Sequence, residues 1–228
     1  LAFPYSLVIF DLDGTLVDSA AAIADAVNRT LRDWKLPTYD TAEITGWIGE
    51  GSRKLITSAF QHADSDANID DVMPGFLEHY AETALDGPAY DGVVETLASL
   101  HGQGVKLAVC TNKNEEFVRP LLEVRGMLRY FDGIVGANTL PERKPSGVPL
   151  RYLSTQARVD IGQTLVVGDS ESDVLAARDA GMDFVLVSYG YRKSLDLRTA
   201  GAIAVIDRMP DLLLLAQRDR ARGVSSSS

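Results

Sequence analysis

The run Leu7-Val8-Ile9-Phe10-Asp11-Leu12-Asp13-Gly14-Thr15-Leu16-Val17-Asp18-Ser19 sets the frame for the whole chain. Its first four residues are continuously apolar, the pattern of a parallel strand buried on both faces. Asp11 and Asp13 then stand at the edge of the core, where an ionised carboxylate is unfavourable without a partner. Gly14 allows a sharp turn, and Thr15 adds a hydroxyl beside it. Asp and Gly are also ordinary at the end of a strand, so this stretch alone fits a plain turn as well as a reactive one. The ends of the later strands decide between the two.

Outward from this stretch the chain alternates between two regimes. From 18 to 86 only helical patterns occur. Ile23, Val27, Leu31 and Trp34 share one face behind a cap at Asp18 or Ser19. Further helices follow around Leu55, Ile56, Ala59 and Phe60, and around Ile69, Val72, Met73, Phe76, Leu77 and Tyr80, with Pro74 as a kink or early-turn residue. Asp86-Gly87-Pro88 closes the segment. From Tyr90 helices and strands alternate. Strands are predicted over 105–110, 131–135, 164–167 and 184–187, with a last edge strand over 203–206. Helices are predicted over 93–100, 115–124 (where Pro120 threatens a split), 148–156 and 170–180. Such alternation predicts an α/β fold: a doubly wound, Rossmann-like parallel sheet as core, residues 1–17 and 87–222, with an inserted all-helical cap over 18–86. The serine-rich end, 223–228, is expected to be a disordered tail.

Composition narrows the partners. The 228 residues are 46% hydrophobic and 24% charged, as in an ordinary globular protein with a sizeable core. A formal net charge of −10 disfavours nucleic acid and anionic membrane surfaces. No apolar run nears the length of a membrane span, Leu212 to Leu215 being far too short. With no signal-like segment at its start, the chain is expected in the cytoplasm. Cys110 is the only cysteine, which excludes an intramolecular disulfide, and it ends an apolar run as a small hydrophobe would.

Ligands of an open parallel sheet sit beyond the carboxyl ends of its strands. Three further groups stand there. Thr111-Asn112-Lys113 offers hydroxyl and amide donors for an anion, although Thr and Asn also cap helices. Glu142-Arg143-Lys144-Pro145 holds a lysine fixed by the following proline, which as a lone feature is an ordinary surface lysine. Gly168-Asp169-Ser170-Glu171-Ser172-Asp173 gathers oxygen donors suited to a hard cation. There Ser170 and Asp173 also read as a capping box, which leaves Asp169 for other work.

In this order and at these places the groups resemble the four motifs of the haloacid dehalogenase superfamily, over nearly the whole chain. The likeness is strongest to its phosphoglycolate phosphatase branch, through Trp47-Ile48-Gly49-Glu50-Gly51, Tyr90-Asp91-Gly92-Val93, Thr139 to Pro145, Asp169 to Met182 and Ser188-Tyr189-Gly190-Tyr191. Asp91, and Ser146-Gly147, depart from the branch's usual residues and bear on loop stiffness only.

The resemblance implies a Mg2+-dependent phosphatase acting on a small phosphorylated metabolite, 2-phosphoglycolate first. Asp11 is the implied nucleophile, forming an aspartyl-phosphate. Asp13 is the acid and base, and its backbone carbonyl a metal ligand. Asp11 and Asp169 are the other protein ligands, with Asp173 holding a metal-bound water or orienting its neighbours. Thr111 and Asn112 hold phosphoryl oxygens, Lys144 offsets negative charge, and Lys113 reaches the mouth of the site. Arg53, with Lys54, is the candidate for a substrate carboxylate. Dehalogenases and phosphonate-cleaving relatives lack an aspartate at Asp13, and mutase relatives carry a cap histidine where Ile23 stands, so hydrolysis is favoured. The alternatives are a sugar-phosphate, nucleotide or pyrophosphate phosphatase, or a silent phospho-ligand binder. Oligomeric state is not encoded in any of these motifs.

Overall fold

The computed structural model describes residues 2–191 and 195–216. The serine tail and the last residues of the expected core segment lie outside these. Six strands form one sheet: β1 (Leu7–Phe10), β2 (Lys106–Cys110), β3 (Gly133–Val135), β4 (Thr164–Gly168), β5 (Asp183–Val187) and β6 (Ala204–Ile206). Their order is β3-β2-β1-β4-β5-β6, and every neighbouring pair is parallel. The chain runs outward from β1 to β3, then crosses back to β4 on the other side of β1. The winding therefore reverses next to β1, and the loops after β1, β2 and β4 border one crevice.

Helices α5 (Val93–Gly102), α6 (Glu115–Val124), α7 (Val148–Ala157) and α8 (Glu171–Ala180) cover the sheet. Because side chains alternate along a strand, each face builds its own core. Val8, Phe10, Val109 and Val167 pack with Leu97, Leu100, Leu121 and Leu122. Leu7, Ile9, Ala108 and Val166 pack with Leu150, Leu153, Val174 and Ala177 on the other face. Pro120 does not split α6: it sits on the exposed side, where the carbonyl it leaves unpaired can turn to water. β3 is shorter than predicted, because Leu128–Tyr130 forms a turn of 3-10 helix just ahead of it.

The segment between β1 and α5 is helical, with α1 (Ala20–Asp33), the short α2 (Thr41–Thr45), α3 (Ser52–His62) and α4 (Ile69–Thr83). These enclose a third cluster, including Ile23, Val27, Leu31, Ile56, Phe60, Phe76 and Tyr80, to which Tyr191 is added from beyond β5. α2 went unpredicted, since one turn carries too few residues for a periodic signal. Trp34 does not join the buried stripe: it follows the last turn of α1, 41% exposed, with its ring edge-on to Phe60 at 5.7 Å. Pro74 lies within α4, again on an exposed side.

Two linkers join this helical unit to the sheet side by side. Val17 bridges Ala89, Asp18 N–H donates to Pro88 O at 2.8 Å, and Tyr90 N–H donates to Leu16 O at 3.1 Å. Arg125, just past α6, clamps the second linker by donating to Gly87 O (2.7 Å) and Leu85 O (2.5 Å). Ser19 occupies the N-cap of α1 but makes no side-chain capping bond, because its hydroxyl is committed elsewhere.

Candidate active site

Asp11 and Thr111 each continue the ladder one residue past a strand: Asp11 N–H donates to Val167 O at 2.9 Å and Thr111 N–H to Val135 O at 3.0 Å. Both lie buried at the crevice, with Asn112, Lys113, Lys144, Asp169 and Asp173. Lys144 is no surface lysine. Its ammonium lies 2.8 Å from Asp11 Oδ1 and 2.6 Å from Asp173 Oδ1. Burial works against that charge, but Asp11 and Asp173 more than offset it and hold Lys144 protonated.

Asp11, Asp169 and Asp173 bring carboxylate oxygens within 4.8 Å of one another. Asp169 is fixed by Tyr191 N–H on Oδ2 at 2.5 Å and by the Thr15 hydroxyl on Oδ1 at 3.1 Å. Glycine is required around it. A Cβ on Gly14, whose φ is +85°, would lie 2.4 Å from Asp169 Oδ2, and one on Gly190 would lie 2.3 Å from Asp169 Cβ. Asp173 Oδ2 accepts from the Ser170 backbone N–H at 3.0 Å and the Ser170 hydroxyl at 2.6 Å, closing the box predicted for α8. Asp173 thus has its acceptors occupied by Ser170 and Lys144.

Burial is the main force on the acids. It pushes the Asp11 carboxyl up to about 7 despite Lys144 beside it, with Asp173 adding to the rise. Asp169 is raised well above the usual carboxylate range by burial, then by the charges of Asp11 and Asp173. One lysine therefore faces a group of three acids, and the deficit of positive charge in an all-oxygen cluster fits a hard divalent cation. Cys110, behind them, is pushed up to about 12 by burial and packs in the core, inert as a thiol.

Asp13 faces a different set of partners. Lys113 Nζ lies 3.0 Å from Asp13 Oδ1, and the Ser19 hydroxyl donates to the same oxygen at 2.6 Å. Its side chain is not part of the three-acid group. Asp13 and Asp11 open instead on a cleft walled by the helical unit, through Ile23, Ile48, Leu55, Phe76 and Tyr80. Thr111, Asn112 and Lys113 line its core side. The amide of Asn112 donates to Gly49 O (2.9 Å) and Lys144 O (3.1 Å), bracing the loop before α3 against the lysine loop. With two carbonyls accepting, the amide orientation is fixed, and Oδ1 is left as a buried acceptor without a partner. Of the two donors expected for phosphoryl oxygens, the Asn112 amide is thus engaged within the protein, whereas the Thr111 hydroxyl accepts from the Lys113 backbone N–H at 3.1 Å and keeps its proton to give.

Arg53, expected at a substrate carboxylate, is brought elsewhere. Its neighbours Ser52 and Leu55 line the cleft, whereas Arg53 is half exposed and pairs with Asp70 in the first turn of α4. A helix turns about 100° per residue, so adjacent positions cannot share a face. Ser19, Tyr80 and Tyr191 were not singled out from the sequence. Ser19 reads as a cap and Tyr80 as one more apolar position on α4, while Tyr191 stands in a motif but holds Asp169 through its backbone, which no side-chain pattern announces.

Residues 8–187 match the family model of haloacid dehalogenase-like hydrolases. The chain belongs to this family. The phosphoglycolate phosphatase of Colwellia psychrerythraea is 38% identical over 219 residues, 93% of this chain and 97% of that protein. The phosphoglycolate phosphatase of Rhodospirillum rubrum is 40% identical over 213 residues, 90% of this chain and 88% of its own. In structure, a predicted phosphoglycolate phosphatase from Haemophilus somnus superposes with a TM-score of 0.88 at 32% identity, covering 94% of this chain and 99% of that one. This member of the haloacid dehalogenase-like hydrolases is a phosphoric monoester hydrolase.

Proposed function

We propose that the enzyme hydrolyses 2-phosphoglycolate to glycolate and phosphate, with Mg2+ as cofactor and an aspartyl-phosphate on Asp11 as intermediate. Asp11 and Asp169, together with the main-chain carbonyl of Asp13, hold the ion. Bound there, Mg2+ neutralises phosphoryl charge and so lowers the repulsion that opposes attack by a carboxylate.

In the first half-reaction an oxygen of Asp11 bonds to phosphorus. The ester P–O bond breaks, its electron pair staying with the glycolate oxygen, and Asp13 supplies the proton that oxygen needs. In the second, Asp13 takes a proton from water as the water oxygen bonds to phosphorus. The bond between Asp11 and phosphorus breaks, releasing phosphate and restoring both carboxyls. Lys144 holds Asp11 in line and offsets the charge gathered on it, and Thr111 offers its hydroxyl to a phosphoryl oxygen. Asp173 keeps Lys144 in place. The helical unit over 18–86 acts as the lid that keeps bulk water from the cleft.

The support for the nucleophile is Asp11 itself: Lys144 lies 2.8 Å from Oδ1, Asp169 lies in the same acid group, and the cleft opens over it. Phosphate release from 2-phosphoglycolate, a sugar phosphate, a nucleotide and pyrophosphate, each with Mg2+ and with chelator, tests the reading. The expected result is Mg2+-dependent turnover with 2-phosphoglycolate preferred. Equal rates in chelator, or preference for another compound, would overturn it.

A further inference from the structure

Lys113 is buried at 5% exposure, and among the described residues it is the only cationic side chain in the wall of the cleft. Besides Asp13, its ammonium donates to the Tyr80 hydroxyl oxygen and lies 4.7 Å from the centre of the Tyr80 ring. Tyr80 comes from α4, across the cleft from the strand ends. Its ring is wedged between Phe76, stacked at 5.6 Å, and Phe117, edge-on at 5.0 Å. An oxygen that accepts from an ammonium has its own proton left to give, and no described residue accepts it. A cation and a polarised hydroxyl are therefore held together, rigid and desolvated, beside the group that protonates the leaving oxygen.

Of the other side chains of that wall, Ile23, Ile48, Leu55 and Phe76 have no hydrogen-bonding group, and Ser52 carries a single hydroxyl. The several hydroxyls of a sugar set against those four apolar side chains would lose more hydrogen bonds to water than Ser52 could replace. An anionic group close to the ester oxygen would meet both Lys113 and Tyr80.

We propose that Tyr80 and Lys113 form the receptor for a carboxylate on the leaving alcohol, and so select short 2-phosphorylated carboxylic acids over neutral alcohols and sugars. Resting on the phosphatase reading above, the proposal gives it a source of specificity. Tyr80 donates its O–H to one carboxylate oxygen, while Lys113 supplies the charge. The contact between Lys113 and Asp13 favours a carboxylate whose carbon lies two bonds beyond the ester oxygen, since a longer leaving group would carry its carboxylate past the ammonium.

The test compares 2-phosphoglycolate with 2-hydroxyethyl phosphate, which has the same length and no carboxylate, in the native enzyme and in Tyr80→Phe with Mg2+ present. The native enzyme is expected to favour phosphoglycolate in kcat/KM. Tyr80→Phe should cut that preference by about tenfold or more, chiefly through KM, the loss typical of a hydrogen bond to a charged group. Glycolate binding by calorimetry should weaken by a similar factor. The substitution removes one oxygen and keeps the ring packing, and an unchanged circular dichroism spectrum and Tm confirm the fold. A preference unchanged within about twofold in Tyr80→Phe overturns the receptor while leaving the phosphoglycolate reading intact. If the native enzyme does not prefer phosphoglycolate, both fall.

Discussion

In the proposed reaction Asp11 would attack phosphorus from a position where burial raises its carboxyl to about 7. Lys144 opposes that rise, and the proposed cation would supply the rest. Asp11→Asn keeps the shape and removes the nucleophilic oxygen. It should lower kcat on 2-phosphoglycolate by at least about a thousandfold, with the Tm unchanged or higher, because a poorly compensated buried charge has gone. Steady-state rates and a thermal melt check this. Asp169 gives a second test through its neighbour. Gly190→Ala would push a methyl group into Asp169 Cβ, so the carboxylate must move. The expected outcome is weaker Mg2+ binding by calorimetry, about tenfold or more, with most of the secondary structure retained.

At the scale of elements, the sequence predicted the strands and helices well wherever a periodic pattern ran for several turns or was flanked by punctuation. α6 starts and ends where predicted, despite Pro120. The misses lie where local pattern is short or ambiguous, as with α2, the start of β3 and the place of Trp34. The paired linkers were outside its reach, because Leu16 and Tyr90 meet only after the helical unit folds between them. Arg125 holds that junction by two bonds to linker carbonyls. Arg125→Ala should lower stability by about 1–3 kcal/mol, the usual effect of losing charged hydrogen bonds to partly buried carbonyls. It should also shift kcat and KM together, as changes at a hinge do. Urea unfolding and steady-state kinetics measure the two effects.

For the whole molecule, the crowded acids should make stability depend on pH and, under the proposed metal reading, on cation as well. The Asp11 carboxyl sits at about 7 in the fold against 3.8 ordinarily, so the folded chain binds this proton more tightly than the unfolded one. Without cation, the stabilising contribution of that proton is fully present below about pH 4 and is lost as pH rises through about 7. Asp169, raised by the same causes, acts in the same direction. The Tm in chelator should therefore fall between about pH 5 and about pH 8, and Mg2+ should restore it at the higher pH. At a hundredfold excess over its Kd, the ion should add about 2.7 kcal/mol. Melts at both pH values, with and without the ion, check the sign. No described helix is long and apolar enough to cross a membrane.

The sequence by itself determined the sheet, the helical insertion and the order of the reactive groups. A buried parallel strand must be apolar throughout, and a charged residue at its end is conspicuous in a single pass along the chain. Which partner each group meets was decided only by the tertiary structure. Arg53 turns to Asp70 and leaves the cleft, Asn112 spends its amide on two carbonyls, and Lys113 joins Asp13 to Tyr80. These contacts join residues far apart in the chain, and their geometry depends on how α4 and the strand ends pack together, which no local spacing encodes.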